Sequence, residues 1–366
     1  MSHPADKRED SVPDHASTPV LPRSRRLGRW ARGRRGPTAA LAPSGAALLV
    51  TGIALLTAAC STASGAAPAA TRAAAPTPAS APPPAVKPAR GALAADGAPH
   101  GSYAALGDSY VAGLGIPGSA GAIAGCGQSG SSYPYLVARS LRLRVSDLSC
   151  SSATIGSLTA AQATGDGTNP AQLSALSSST ALVTLGIGGN DVGWGGVIAR
   201  CTELDLIPAL IPGGASSDRA PCRNHYTAGG TDALQRKIQA VAGPLAEALA
   251  RVRRRAPHAR VYVVGYPDLL PAAGAGCASA LGLAEGDIAF LNTEEVRLND
   301  LLRRVARAAG DGYIDTYTPS LGHSACAAPA ARWIEPLIPD ARAAPLHPNA
   351  IGEKGMANVI VAAVEA

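Results

Sequence analysis

The chain has 366 residues, of which 46% are hydrophobic, enough for one large domain with its own core and too apolar for a chain that stays unfolded. Its formal charge of +6 is unevenly placed, because residues 1–59 hold nine Lys and Arg against four Asp and Glu. The rest is close to neutral, which argues against a nucleic-acid partner.

Residues 1–60 read as an export signal. The arginines between Arg25 and Arg35 form a positive n-region, and the uncharged run 46–59 is short for a membrane-spanning helix, which needs roughly 20 apolar residues. Leu56-Thr57-Ala58-Ala59-Cys60 looks like a bacterial lipobox, with threonine where leucine is commonest. On that reading Cys60 is lipidated and ties the protein to a membrane; the alternative is a simply cleaved signal in which Cys60 is incidental. Residues 61–99 are nearly all Ala, Pro, Thr, Ser and Gly, including Ala81-Pro82-Pro83-Pro84, and read as an extended tether. Residues 100–366 form the folded domain, expected to be a monomer.

Within that domain a strand over 102–106 stops at Gly107-Asp108-Ser109, and a helix is predicted over 131–141 with Tyr135, Leu136, Val137 and Leu141 inward. Between them Gly113-Leu114-Gly115-Ile116-Pro117-Gly118 matches a dinucleotide fingerprint letter for letter. It does not follow the strand directly, Pro117 interrupts it, and no acid lies about 20 positions on, so it reads as a glycine-rich loop beside the site. A second strand over 143–148 leads to Ser149-Cys150-Ser151-Ser152-Ala153-Thr154, and a third over 181–185, apolar throughout, leads to Gly188-Gly189-Asn190-Asp191.

Residues 201–226 read as an irregular insertion that walls a pocket, and residues 231–255 as one long amphipathic helix whose arginine-rich end is a solvated face. A fourth strand over 260–265, a helix over 287–309 and a fifth strand over 312–315 follow. The last helix begins around Leu346-His347-Pro348-Asn349-Ala350, with Pro348 in its first turn and Ile351, Met356, Val359 and Ile360 as apolar contacts. This order predicts a three-layer α/β/α sandwich on a parallel sheet of about five strands.

A serine in a tight turn at the carboxyl edge of such a sheet is placed for chemistry, although Gly-Asp-Ser also makes an ordinary turn. Asn190 can cap a helix or offer a neutral amide to a developing oxyanion. His347, in a loop late in the chain, is a candidate base. Ser324 in Gly322-His323-Ser324-Ala325-Cys326 nearly spells a nucleophile elbow, but its fifth position is cysteine and no buried strand precedes it tightly. Six cysteines besides Cys60, in an exported chain, read as three disulfides of open pairing. A zinc site using Cys222 and His225 lacks a second ligand pair.

The ordered set of Gly107-Asp108-Ser109, Gly186-Ile187-Gly188-Gly189-Asn190-Asp191 and His347-Pro348-Asn349 resembles the SGNH hydrolases, also called GDSL lipases and esterases. The resemblance to the secreted branch of that family covers residues 102 to about 362. It implies a flavodoxin-like SGNH hydrolase fold, with Ser109 as nucleophile, His347 as base, and an oxyanion hole from the Ser109 N–H, the Asn190 amide and a backbone N–H near residue 152. Ser152 stands where the branch usually has glycine, with Gly156 as a fallback. Disulfides are implied between Cys126 and Cys150, Cys201 and Cys222, and Cys277 and Cys326. The family's Asp three residues before the histidine is Ala344 here, and Asp340 lies seven upstream. The resemblance therefore implies a Ser-His dyad oriented by the carbonyl of Ala344 or Pro345, with Asp108 bracing the turn. No cofactor or metal is implied. The implied substrate is a small-molecule or lipid ester; a carbohydrate acetyl esterase and a non-catalytic binding lipoprotein are the alternatives.

Overall fold

The computed structural model describes residues 101–366 except 121–122, 211–219, 274–276 and 278–280, with side chains also left out for 207–210. The expected export signal, tether and Cys60 lie outside the described residues.

Five parallel strands form the central sheet: β1 (Ser102–Gly107), β2 (Arg144–Asp147), β5 (Thr180–Gly186), β6 (Arg260–Val264) and β7 (Gly312–Ile314), in the order β2-β1-β5-β6-β7. A small antiparallel hairpin, β3 (Gln162–Thr164) with β4 (Gly167–Asn169), stands apart from it. The chain moves from β1 outward to β2, then returns to place β5 on the other side of β1. The order therefore reverses beside β1, and the carboxyl edge at such a reversal is where open α/β sheets form a crevice.

Alternation along β1 sends Ala104 and Leu106 to one face and Tyr103 and Ala105 to the other, and the two faces feed two separate cores. Helices α2 (Tyr133–Leu141) and α9 (Ala350–Glu365) cover the face of Tyr103 through Val137, Met356 and Ile360. Helices α6 (Ala233–Ala240), α7 (Ala242–Arg255) and α8 (Glu285–Ala308) cover the other through Ile238, Leu245, Leu249, Leu298 and Leu302. The result is the expected three-layer sandwich.

Several local expectations are corrected. The inward face of α2 is Tyr133, Pro134, Val137, Ala138 and Leu141, with Tyr135 and Leu136 only partly buried. The predicted single helix over 231–255 is two, parted at Val241; Pro244 has no N–H to give the Ala240 carbonyl, and the first helix ends there. The described parts of the stretch predicted as irregular are largely helical: α4 (Trp194–Leu210) carries Cys201, and α5 (Pro221–Tyr226) carries Cys222. Pro348 sits ahead of α9, whose N-cap is Asn349, and Ile351 is exposed.

The three disulfides join Cys126 to Cys150, Cys201 to Cys222 and Cys277 to Cys326, with Cα separations of 4.3, 4.9 and 5.4 Å. Cys222 is thereby unavailable as a zinc ligand.

At the reversal β1 and β5 approach closely. Gly107, at φ 148°, has no room for a side chain: a Cβ there would lie 2.2 Å from the Gly186 carbonyl oxygen and 2.4 Å from Val111. Gln172 clasps the same residue, accepting from its N–H at 2.7 Å and donating to its carbonyl at 2.9 Å. Gly107→Ala is expected to cost about 3 kcal/mol or more, since it adds overpacking to a backbone conformation that a Cβ disfavours. Urea denaturation followed by circular dichroism checks this; a variant as stable as the parent would show that the junction tolerates a side chain.

Candidate active site

Helix α1 (Ser109–Ala112) starts directly after β1. Its N-cap is Asp108, whose carboxylate accepts the Tyr110 N–H at 3.0 Å. This short turn holds Ser109 at the head of the helix, where its Oγ lies 2.7 Å from His347 Nε2. The other ring nitrogen, Nδ1, lies 2.7 Å from the Pro345 carbonyl oxygen. A carbonyl can only accept, so Nδ1 carries the hydrogen and Nε2 is left as the acceptor for the serine hydroxyl. Burial holds the His347 pKa below its ordinary 6.5 against the opposing pull of that carbonyl, so the ring is neutral at neutral pH.

The loop bearing His347 is fixed from behind. Beside an antiparallel bridge between Ile334 and Pro348, the Glu335 N–H donates to the His347 carbonyl and the Glu335 carbonyl accepts the Leu346 N–H, each at 3.0 Å. The Glu335 carboxylate also accepts the N–H groups of Asp340 and Ala341 and the side-chain amide of Asn349. From the front, the Ala344 N–H donates to the Leu114 carbonyl at 2.9 Å. Gly115 allows this approach, because a Cβ there would meet the Ala344 nitrogen at 2.6 Å. The glycine-rich loop thus lies beside the site, as its sequence suggested.

Of the two upstream carbonyls considered for orienting the imidazole, that of Pro345 faces the ring; that of Ala344 accepts the backbone N–H of His347 instead. Asp340 does not reach the histidine. Its carboxylate pairs with Arg332 at 2.9 Å.

Asn190 follows β5 in the short helix α3 (Gly189–Val192), and its Nδ2 donates to the Ala153 carbonyl at 2.9 Å. That bond uses one amide hydrogen and fixes the orientation of the other. Asp191 accepts the Ile155 N–H, which ties this turn to the loop after β2. Ser152 in that loop has φ 62°, the left-handed conformation that glycine adopts freely and other residues rarely. Its neighbours are pinned on both sides, the Ser151 N–H to the Cys126 carbonyl at 2.9 Å and the Ala153 N–H to the Cys150 carbonyl at 3.1 Å. The disulfide between Cys126 and Cys150 fastens the same loop. Gly156 belongs to a 3-10 turn and is not among the residues around the cavity.

Ser109, Ser152, Asn190 and His347 stand together at a cavity of about 670 Å3. Its walls are mainly apolar, with Leu114 from the glycine loop, Trp194 and Ile198 from α4, Leu298 from α8 and Leu337 from the histidine loop. Thr202, beside Cys201, belongs to the same wall, so the disulfide-bonded segment does border the pocket, as a helix rather than a loop. Besides Asp108, the buried carboxyl of Glu295 lines the cavity; burial and then the charge of Asp268 push its pKa well up. Ser324, the near-elbow serine, is buried outside this cavity, and its neighbour His323 stacks on Trp333.

A family model described as the GDSL-like lipase/acylhydrolase family matches residues 105–354. The chain belongs to that family. It is a carboxylic ester hydrolase, 39% identical over 272 residues to lipase 2 of Streptomyces coelicolor, covering 73% of this chain and 86% of that protein. An esterase of Streptomyces scabiei is 28% identical over 260 residues, covering 64% of this chain and 74% of the esterase. Among solved structures, phospholipase A1 of Streptomyces albidoflavus NA297 superposes with a TM-score of 0.58 at 26% identity, covering 73% of this chain and 99% of that one. The extracellular lipase of Streptomyces rimosus gives 0.58 at 28% identity, covering 72% and 100%.

Two residues of this GDSL hydrolase were given no role from sequence. The Tyr266 hydroxyl, just past β6, donates to Asp108 Oδ2 at 2.6 Å and accepts the Gly189 N–H at 2.8 Å, linking the ends of β1, β5 and β6. Tyr110 lies against His347, with ring centroids 4.8 Å apart. The Gly-Tyr-Pro-Asp run after β6 was the available signal for Tyr266; nothing in the spacing marked Tyr110.

Burial pushes the Asp108 pKa from 3.8 up to about 7, against the opposing hydrogen bonds from Tyr266 and Tyr110. A folded pKa raised above the unfolded one contributes stability that is full below about pH 4 and is lost as pH rises through about 7. Asp108→Asn, which never ionises, is therefore expected to lose less stability than the parent between pH 5 and 8, by roughly 2–4 kcal/mol. Denaturation midpoints across that range check it; parallel pH profiles for the two proteins would contradict it.

Proposed function

We propose that this protein is an exported esterase of the lipase type, which hydrolyses carboxylic esters through an acyl-enzyme on Ser109 with His347 as the base. The observation that carries this reading is the 2.7 Å contact between Ser109 Oγ and His347 Nε2 at the mouth of an apolar cavity of about 670 Å3. In the first step Ser109 Oγ attacks the ester carbonyl and its proton passes to Nε2. The N–H groups of Ser109 and Ser152 and the free amide hydrogen of Asn190 receive the developing oxyanion. The imidazolium then protonates the departing alkoxide, the alcohol leaves, and a water activated by the same nitrogen releases the acid. Asp108 braces the turn and takes no part in proton transfer.

An acetyl group would occupy little of such a cavity, and its leucine, isoleucine and tryptophan walls suit a longer acyl chain. This favours the lipase or carboxylesterase reading over an acetyl esterase acting on carbohydrate. The Ser-His contact argues against a non-catalytic binding lipoprotein. Export and an extracellular site of action are supported by three disulfides, by the reading of residues 1–60 as a signal, and by the similarity to an extracellular lipase. Attachment through a lipid on Cys60, a tether over 61–99, a hydrolase domain over 100–366 and a monomeric state complete the proposal.

Hydrolysis of p-nitrophenyl esters from acetate to palmitate is expected to peak at medium or long chains and to fall by at least roughly 1,000-fold in Ser109→Ala. A preference for acetate would move the assignment to an acetyl esterase, and activity that survives in Ser109→Ala would remove the nucleophile. If the donor at residue 152 is its backbone N–H, Ser152→Gly keeps it and also relieves a left-handed serine. That variant is expected to hold kcat within a few-fold while matching or exceeding the parent's stability. A 100-fold loss of kcat would assign the role to the hydroxyl.

A further inference from the structure

A neutral histidine that takes a proton becomes a cation, and among the described residues no side-chain carboxylate is hydrogen-bonded or ion-paired to it. Asp340 is engaged by Arg332, which also lies 3.9 Å from Glu335, and the Glu335 carboxylate receives three donors behind the loop. Asp108 is buried against Tyr266 and the Tyr110 N–H, and the Glu295 carboxyl is engaged by the Leu269 N–H. The Pro345 carbonyl alone meets Nδ1. What does meet the imidazole is an aromatic ring, that of Tyr110, with centroids 4.8 Å apart and planes inclined by 33°. This is within the roughly 6 Å over which a cation is attracted to a ring face.

Tyr110 is held in that position from three sides. Its N–H is bound by Asp108, its ring meets Tyr266 edge-on at 5.1 Å and 87°, and its hydroxyl donates to the Leu346 carbonyl. Leu346 stands at φ 54°, an uncommon conformation for a branched residue, directly between Pro345 and His347. The hydroxyl therefore grips the backbone turn that presents the Pro345 carbonyl to Nδ1.

We propose that Tyr110 stands in for the missing acid as a positioning residue: its ring stabilises the imidazolium form of His347, and its hydroxyl fixes the turn that aims the Pro345 carbonyl. This inference rests on the Ser109–His347 reading. It assigns the ring and the hydroxyl separable parts. The ring acts on the charged state and sets the histidine's basicity. The hydroxyl acts on geometry, so its loss lowers the rate without moving that basicity.

The test uses the full chain with Tyr110→Phe and Tyr110→Leu, p-nitrophenyl butyrate as substrate, and the acid limb of kcat/KM, which reports the free enzyme's histidine. The parent's midpoint is expected below 6.5, because burial lowers the His347 pKa. Tyr110→Phe is expected to keep that midpoint with a few-fold loss of kcat. Tyr110→Leu is expected to shift it further toward acid and to lose roughly 3- to 30-fold more in kcat, the range a cation–π contact spans. A Leu variant whose acid limb overlays that of Phe would overturn the proposal. Should the Leu variant fail to fold, phenylalanines with successive ring fluorines at position 110 keep the shape while weakening the ring face; an unmoved midpoint along that series would overturn it equally. Ser109→Ala and His347→Ala run in parallel separate the two readings. Activity surviving in either one removes the dyad itself, whereas inactive controls with an unmoved Tyr110 series remove only the role of Tyr110.

Discussion

The close parallel pairing of β1 with β5 is the constraint on which the rest of the site depends. At their carboxyl ends the two strands come so near that the Gly186 carbonyl occupies the space where residue 107 would carry a side chain, and the Asp108 N–H donates to that same carbonyl at 3.0 Å. One consequence is that the residues which follow, Ser109 after β1 and Asn190 after β5, emerge side by side. Another is that Tyr266, at the end of β6, can bridge the two turns through a single hydroxyl that donates to Asp108 and accepts from Gly189. Three strand ends are thereby locked by short hydrogen bonds in a buried setting, where such bonds are electrostatically strong and costly to leave half made.

The histidine reaches this junction from a distant part of the chain, and the structure invests heavily in holding it there. The Glu335 carboxylate gathers two backbone N–H groups and the Asn349 amide, which together hold its pKa down despite burial, and Asn349 in turn caps α9. The acidic side chains of this region thus secure the loop instead of contacting the imidazole. Orientation of the ring is left to a carbonyl and an aromatic neighbour, an arrangement with no fixed negative charge and hence less stabilisation of the imidazolium than a carboxylate would give.

The cavity completes the picture at the level of substrate. Its apolar lining comes from several segments far apart in the chain, and two disulfides secure parts of its wall: Cys126–Cys150 the Ser152 loop, and Cys201–Cys222 the middle of α4 to α5. Apart from Asp108, the carboxyl of Glu295 interrupts the apolar surface; it is held by the Leu269 N–H, and burial pushes its pKa well up.

Much of this was legible in the sequence because it is written in local pattern. Apolar runs of strand length gave all five strands of the sheet, glycine-rich turns marked the strand ends, and Ser109, Asn190 and His347 stood out as chemistry-bearing residues at those ends. What local pattern misjudged were interruptions and continuations: Pro244 divided a helix whose apolar spacing ran on unbroken, and α4 continued past Cys201 and Pro208 to Leu210, where loop was expected. The sequence alone thus determined the layers, the strand ends and the candidate residues at those ends, since these follow from short-range periodicity and residue chemistry. Only the tertiary structure decided that Pro345 rather than Ala344 or Asp340 faces the histidine, that Ser152 adopts a left-handed backbone, and that Tyr110 and Tyr266 bind the site together. The tyrosine contacts join segments far apart in the chain, and the Pro345–His347 bond and the Ser152 turn, though local, lie in loops pinned by distant segments through the Ala344 N–H to Leu114 and the Ser151 N–H to Cys126, so no local spacing encodes them.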